Sequence, residues 1–295
     1  MQDYLVKQIS EDGQLRAYAV NATQLVAEAQ QKQDTWSTSS AAFGRTIVGT
    51  LLLSAAGLKG DTKMTVRVEG DGPVGKIVVD GDAQGTVKGY VQNPHVNLPL
   101  NDRQKIDVKG GVGTTGSLSV TKDLGLKEPF TGQVPLVSGE LGEDFTYYLA
   151  KSEQTPSAVG LSVFVKDDNT VEVAGGFMIQ MLPGADDRLI DVLEARLQEM
   201  PLVSELLQQG LTPEAIIAEI VGELPMKTLE QMPVKYRCDC SKDRFAKALS
   251  SIKPADLEQL ISEDHGAEAV CRFCGERYQF SEAELQQILA EQAAN

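Results

Sequence analysis

The residues with the clearest chemistry are the four cysteines, all near the C-terminus. They form Cys238-Asp239-Cys240 and, after a 30-residue spacer, Cys271-Arg272-Phe273-Cys274. Two close pairs on a long spacer suit a tetrahedral zinc ion, because each pair delivers two thiolates from one tight turn and the spacer folds back to unite them. The first pair is C-x-C, not the C-x-x-C that the common zinc ribbon uses twice. Four unrelated thiols would be scattered along the chain. Read alone, Cys271 and Cys274 also fit a thiol–disulfide oxidoreductase. That chemistry places C-x-x-C at the start of a helix, and Gly275 directly after Cys274 opposes one there.

His265 could replace one sulfur, but it lies in the polar run Glu263-Asp264-His265-Gly266 and four thiols already complete the shell. It reads as a loop histidine. Lys235, Arg237, Lys242, Arg244, Arg272 and Arg277 flank the pairs. Four thiolates around one Zn²⁺ carry a net charge of about two negative, so nearby cations would favour thiolate over thiol. Simple charge balance in an acidic protein explains the same residues equally well.

The elements that position these residues follow from the rest of the chain. Its 295 residues, 42% hydrophobic and 23% charged, are ordinary for a globular protein of two domains. A formal charge of −15 excludes a broad nucleic-acid platform, which needs a basic face. The first twenty residues lack the basic, apolar and small-residue regions of a signal peptide, so a cytoplasmic protein is expected. Reducing conditions there favour metal binding or transient redox chemistry over permanent disulfides. The most apolar run, residues 47–58, is too short to span a bilayer.

Residues 3–10 and 15–21 read as a hairpin around Asp12-Gly13. Helices are expected over 23–33 and from Ser37 or Ser39 to 58, the second with a broad apolar stripe of Phe43, Ile47, Val48, Leu51, Leu52 and Ala55. Strands follow at 64–68, 76–80, 86–91, 117–121, 161–165 and 171–180, with one helix at 143–152. The expected fold class is α+β, with a twisted, mainly antiparallel sheet. Gly70-Asp71-Gly72-Pro73-Val74-Gly75 matches G-x-G-x-x-G, but a strand follows where a dinucleotide site needs a helix, and Pro73 removes a donor. With only His95 and His265, and no P-loop, G-x-S-x-G or H-E-x-x-H, no catalytic constellation is present.

Pro183-Gly184 closes a core domain at 1–184. Residues 185–233 read as a helical linker, with helices at 186–200 and 212–224 and a short turn between. From Ala185 to Pro233 ten acidic residues face three basic ones, no aromatic residue occurs between Phe177 and Tyr236, and five of the seven methionines lie in or beside the segment. Such helices pack weakly and adapt, so a metastable linker is expected, although a plain helical linker fits the same composition equally well. Residues 234–295 form a small zinc domain with helices at 241–250, 254–262 and 281–293, strands at 267–271 and 277–280, and a capping box of Ser281 with Glu284.

Structural zinc contributes an apparent ~10–16 kcal/mol to such domains, more than a core of this size supplies. Oxidation within each close pair closes a minimal loop, worth only ~2 kcal/mol, whereas a cross-pair bond such as Cys240 to Cys271 contributes ~3–4 kcal/mol and keeps the halves together. Connectivity therefore decides whether oxidation unfolds or locks the domain. Local pairing is faster, because the partner thiol is adjacent. Loss of zinc, unfolding of the tail and loosening of the acidic helices are the expected sequence of events.

The cysteine signature, with further stretches along the chain, resembles the heat shock protein 33 family, the redox-regulated 33-kDa chaperonins of bacteria. Those stretches are Gly72-Pro73 through Val79-Asp80, Gly89-Tyr90-Val91, Thr121-Lys122-Asp123-Leu124-Gly125, Pro135-Leu136-Val137-Ser138-Gly139-Glu140, Ser152-Glu153-Gln154, Pro156-Ser157-Ala158-Val159-Gly160, Ala174-Gly175-Gly176-Phe177 and Gly210-Leu211-Thr212-Pro213-Glu214. The resemblance implies a non-enzymatic holdase. Its reduced form would hold one zinc on Cys238, Cys240, Cys271 and Cys274 and be nearly inactive. Its oxidised form, with disulfides Cys238–Cys240 and Cys271–Cys274, would dimerise and bind unfolding proteins without ATP, nucleic acid or membrane.

Overall fold

The computed structural model describes residues 2–293. In chain order the elements are β1 (Tyr4–Ser10), β2 (Leu15–Asn21), α1 (Thr23–Gln33), α2 (Ser37–Gly57), β3 (Lys63–Gly70), β4 (Lys76–Asp82), β5 (Thr86–Val91) and α3 (Val108–Val112). Then come β6 (Gly116–Asp123), β7 (Phe130–Pro135), α4 (Gly142–Lys151), β8 (Ser157–Val165) and β9 (Val171–Met181). The acidic segment supplies α5 (Asp187–Glu199), α6 (Val203–Gln208), α7 (Pro213–Val221) and β10 (Met226–Pro233), followed by β11 (Lys235–Tyr236). The tail contains α8 (Lys242–Leu249), α9 (Pro254–Glu263), β12 (Gly266–Val270), β13 (Arg277–Ser281) and α10 (Glu282–Ala293). Packing divides the chain into two compact units, one ending at Arg237 and the other beginning at Cys238.

The first unit is α+β, with two sheets where the strand pattern suggested one. Sheet A has the order β10-β1-β2-β9-β8, and sheet B the order β11-β5-β4-β3-β6-β7. Every pairing is antiparallel except β11 with β5. The reason for two sheets lies in α2, which packs against strands of both. Its apolar stripe is not its only buried side: Ser39, Ser40, Thr46 and Thr50 are buried as well. The Thr46 and Thr50 hydroxyls donate to the carbonyls of Ala42 and Thr46, at 2.9 and 2.8 Å, which lets the helix be enclosed without unpaired hydroxyls at those positions. At Gly49 a Cβ would lie 2.5 Å from the Phe145 ring, so only glycine admits that close approach.

Sheet A is buried on both faces because successive side chains alternate. Leu5, Tyr18, Val20 and Met178 face the core around α2. Val6, Leu15, Ala17, Ala19, Phe177 and Ile179 face the opposite way, under Leu193 of α5, Leu206 and Leu207 of α6, and Ile216, Ile217 and Ile220 of α7. The acidic helices are thus an apolar cover for one face of a sheet. Thr212 caps α7 by accepting from the Ala215 amide at 3.3 Å. The cover also carries polar ties: Ser162 Oγ donates to Ser204 Oγ at 2.8 Å, and the Tyr4 hydroxyl donates to Glu214.

One expectation for residues 185–233 is corrected. The segment is not helical throughout: 226–233 is strand β10, running from Ser10↔Met226 to Tyr4↔Pro233 along β1 with a bulge at Lys7/Gln8. Without it β1 would be a bare edge, and the pairing satisfies its backbone. The segment packs within the first unit through α5, α6, α7 and β10.

The G-x-G-x-x-G run turns from β3 to β4. The Gly72 and Val74 amides donate to Val112 and Gly111 carbonyls at 2.9 and 3.0 Å, so the donors a phosphate would need are spent on the chain itself. Among the described residues no helix is long and apolar enough to cross a membrane.

The second unit packs α8, α9 and α10 around the β12–β13 hairpin. Its fully buried core is Leu257, Phe280, Leu285 and Ile288, bordered by Phe245, Leu260 and Tyr278. Ser281 and Glu284 form the expected reciprocal cap: the Ser281 amide donates to Glu284 Oε2 at 2.9 Å, and the Glu284 amide donates to Ser281 Oγ at 3.4 Å.

Candidate metal centre

Cys238 and Cys240 lie just before α8, Cys271 directly follows β12, and Cys274 lies in the turn to β13. That turn is built from its backbone. The Gly275 amide donates to the Cys271 carbonyl at 2.8 Å, and the Cys271 amide donates to the Glu276 carbonyl at 2.9 Å. Gly275 has φ +74°, a left-handed conformation that suits glycine. The Cys271–Cys274 stretch therefore joins two strands and does not open a helix, the context an oxidoreductase C-x-x-C requires.

The four sulfurs all lie within 4.8 Å of one another. Cys238 Sγ is 3.6 Å from Cys271 Sγ, and Cys240 Sγ is 3.3 Å from Cys274 Sγ. A tetrahedron with metal–sulfur bonds of ~2.3 Å has edges of about 3.8 Å, so the four sulfurs fit a single thiophilic ion. Each short contact joins the first cysteine pair to the second.

The thiols influence one another. Burial pushes Cys238 up to about 11, with the neighbouring Cys240 and Cys271 sulfurs adding to the rise. Burial also raises Cys274. At Cys240 burial acts in the same sense, but hydrogen bonds from the Tyr278 hydroxyl, 3.2 Å away, and from the other thiols outweigh it and lower the value. Tyr278 is raised in turn, first by its hydrogen bond to Cys240. Closely packed thiols without a counter-charge resist becoming thiolates together, and a divalent cation supplies that charge, displacing protons as it binds.

Three of the flanking cations follow the charge-balance alternative. Lys242 pairs with Glu284, Arg244 with Asp239, and Arg277 with Glu268. These charges are met by carboxylates. His265 is 75% exposed and lies 3.6 Å from Glu282, so it is a loop histidine. The residue that sequence reasoning missed is Tyr278. Alternation in β13 places it on the same face as the buried Phe280, and that pattern was available in the sequence.

An α+β unit followed by a small unit that gathers four cysteines around one point defines a thiol-cluster protein whose sulfurs could hold a metal ion. The family profile described as Hsp33 protein matches residues 3–281, and the chain belongs to the Hsp33 family. It is 86% identical to the 33 kDa chaperonin of Latilactobacillus sakei subsp. sakei (strain 23K), over 99% of this chain and 100% of that one. It is 64% identical to the 33 kDa chaperonin of Levilactobacillus brevis, over 100% of both chains. Among solved structures it matches the crystal structure of the 33 kDa chaperonin (heat shock protein 33 homolog) from Thermotoga maritima, with TM-score 0.93, 34% identity and 100% of both chains covered. The names these relatives carry are those of chaperonins, not enzymes.

Proposed function

We propose that the protein is a redox-switched, ATP-independent holdase chaperone of the cytoplasm. The names of its relatives support a chaperone role. The observation that carries the switch is the convergence of four thiols, from both ends of a 30-residue spacer, in a unit whose fully buried core is four side chains. On this reading Cys238, Cys240, Cys271 and Cys274 hold one Zn²⁺ in the reduced form. Bound zinc supplies a cross-link worth ~10–16 kcal/mol.

Oxidation forms Cys238–Cys240 and Cys271–Cys274. Each pair of thiolates loses two electrons to one molecule of hydrogen peroxide, which takes two protons from solvent and is reduced to two waters, and the Zn²⁺ is released. All four ligands are then withdrawn, and the new bonds close only short loops that cannot replace the lost link. The zinc-binding domain, 234–295, unfolds, and the linker, 185–233, loosens from the core domain, 1–184. The covered face of sheet A, with Val6, Leu15, Ala17, Phe177 and Ile179, becomes the apolar surface for unfolding clients. The oxidised form is a homodimer and requires neither nucleic acid nor membrane.

The experiment treats the full chain with peroxide at elevated temperature and follows zinc release, far-UV circular dichroism and light scattering by an aggregating client in one sample. All three change together if the reading holds. Equal protection by reduced and oxidised protein overturns it.

A further inference from the structure

Tyr278 stands out because its hydroxyl touches a sulfur of the cluster, at 3.2 Å from Cys240 Sγ. A thiolate carries no proton, so once Cys240 is a metal ligand the phenol must be the donor. The ring is held on two sides. Strand β13 fixes its backbone opposite Ala269 of β12, and the face of the ring lies against Phe245, with centroids 5.1 Å apart and planes inclined by 36°. Phe245 belongs to α8, whose capping residue Ser241 directly follows Cys240. The strand that follows Cys274 and the helix that follows Cys240 therefore meet at this aromatic pair, and the hydroxyl is aimed at the one sulfur between them.

We infer that Tyr278 is a positioning residue of the metal centre: its hydroxyl donates a hydrogen bond to the Cys240 thiolate, tightening metal binding and shielding that sulfur from electrophiles. The inference rests on the zinc reading above. Donation to a metal-bound thiolate disperses its negative charge and fixes the direction of its lone pairs. Outer hydrogen bonds of this kind typically change metal affinity by ~10–100-fold. Of the four sulfurs it is Cys240 that the Tyr278 hydroxyl touches, so the shielding is directed at Cys240.

The test uses the full chain with native Tyr278, with Tyr278→Phe, which keeps the ring on Phe245, and with Tyr278→Leu, which removes it. Zinc affinity is measured by competition with a chromophoric chelator. Alkylation of each cysteine in the zinc-loaded protein is followed by mass spectrometry. Tyr278→Phe should weaken zinc binding by about tenfold or more and raise the alkylation rate of Cys240 relative to the other three cysteines. If Tyr278→Phe matches the native chain in both readouts, or if only Tyr278→Leu is impaired, the residue merely packs and the inference is overturned while the zinc reading stands. A native chain that binds no zinc overturns both.

Discussion

The Tyr4 hydroxyl donates to Glu214 Oε2 at 2.7 Å, joining strand β1 to the first turn of α7 across 210 residues of sequence. The bond ties the acidic cover to the sheet it covers. Tyr4→Phe deletes it without changing the ring, and a hydrogen bond to a charged acceptor is worth about 1.5 kcal/mol. Amides of α7 should then exchange with deuterium about tenfold faster, and less peroxide should suffice for client protection. Unchanged exchange would show that the bond does not hold the cover.

The same residue carries a pH dependence. Burial, followed by the hydrogen bond to Glu214 and its charge, raises Tyr4 to about 12 from the ordinary tyrosine value of 10.0. A raised folded-state value means that the contribution is complete below the unfolded value and is lost as pH rises through the folded one. Docking of α7 should therefore be insensitive to pH below about 10 and weaken between about 10 and 12. Tyr4→Phe should flatten that part of the alkaline unfolding curve, as read by hydrogen exchange or circular dichroism.

Ile217 and Ile220 of α7 are fully buried on the face that the cover turns to sheet A. Ile217→Ala and Ile220→Ala each remove packing worth ~2–4 kcal/mol. If sheet A is the client surface, reduced and zinc-loaded double mutant should suppress client aggregation without an oxidant. Zinc retention with no gain in protection would place the client surface elsewhere.

Cys274→Ser leaves three thiols. Zinc content should fall, and the segment from Cys238 onward should become protease-sensitive, because its core among the described residues is the small cluster of Leu257, Phe280, Leu285 and Ile288. The core around α2 should keep its melting transition, while α5, α6 and α7 loosen from sheet A. Limited proteolysis with metal analysis checks both parts.

Gly49→Ala places a methyl group 2.5 Å from Phe145 in the helix enclosed by both sheets. Overpacking of this kind costs ~1–3 kcal/mol. The melting temperature of the first unit should fall by several degrees, with zinc affinity unchanged.

What was legible in the sequence was local. The cysteine pairs, the Asp12-Gly13 hairpin, the Thr212 cap and the Ser281–Glu284 box each declare themselves within a few residues. What was hidden depends on distant partners. Met226–Pro233 has Lys, Thr, Glu and Gln among its residues and becomes a strand because β1 offers an unpaired edge. Phe130–Pro135 contains a glycine and ends in proline, and it is a strand because β6 pairs with it. The two-sheet arrangement follows from how completely α2 is enclosed, and its serines and threonines masked that. The Tyr278 contact with Cys240 required knowing that β13 and the first cysteine pair converge.

The pairing of β10 with β1 also sets an order in time. At ~5–20 residues per second, a ribosome reaches β10 some tens of seconds after completing β1. Until then sheet A lacks an edge strand, and before α5, α6 and α7 emerge its second apolar face is bare. The cysteines follow all of these elements in the chain. A nascent chain thus passes through the uncovered arrangement proposed for the working chaperone before its cysteines can close around a metal.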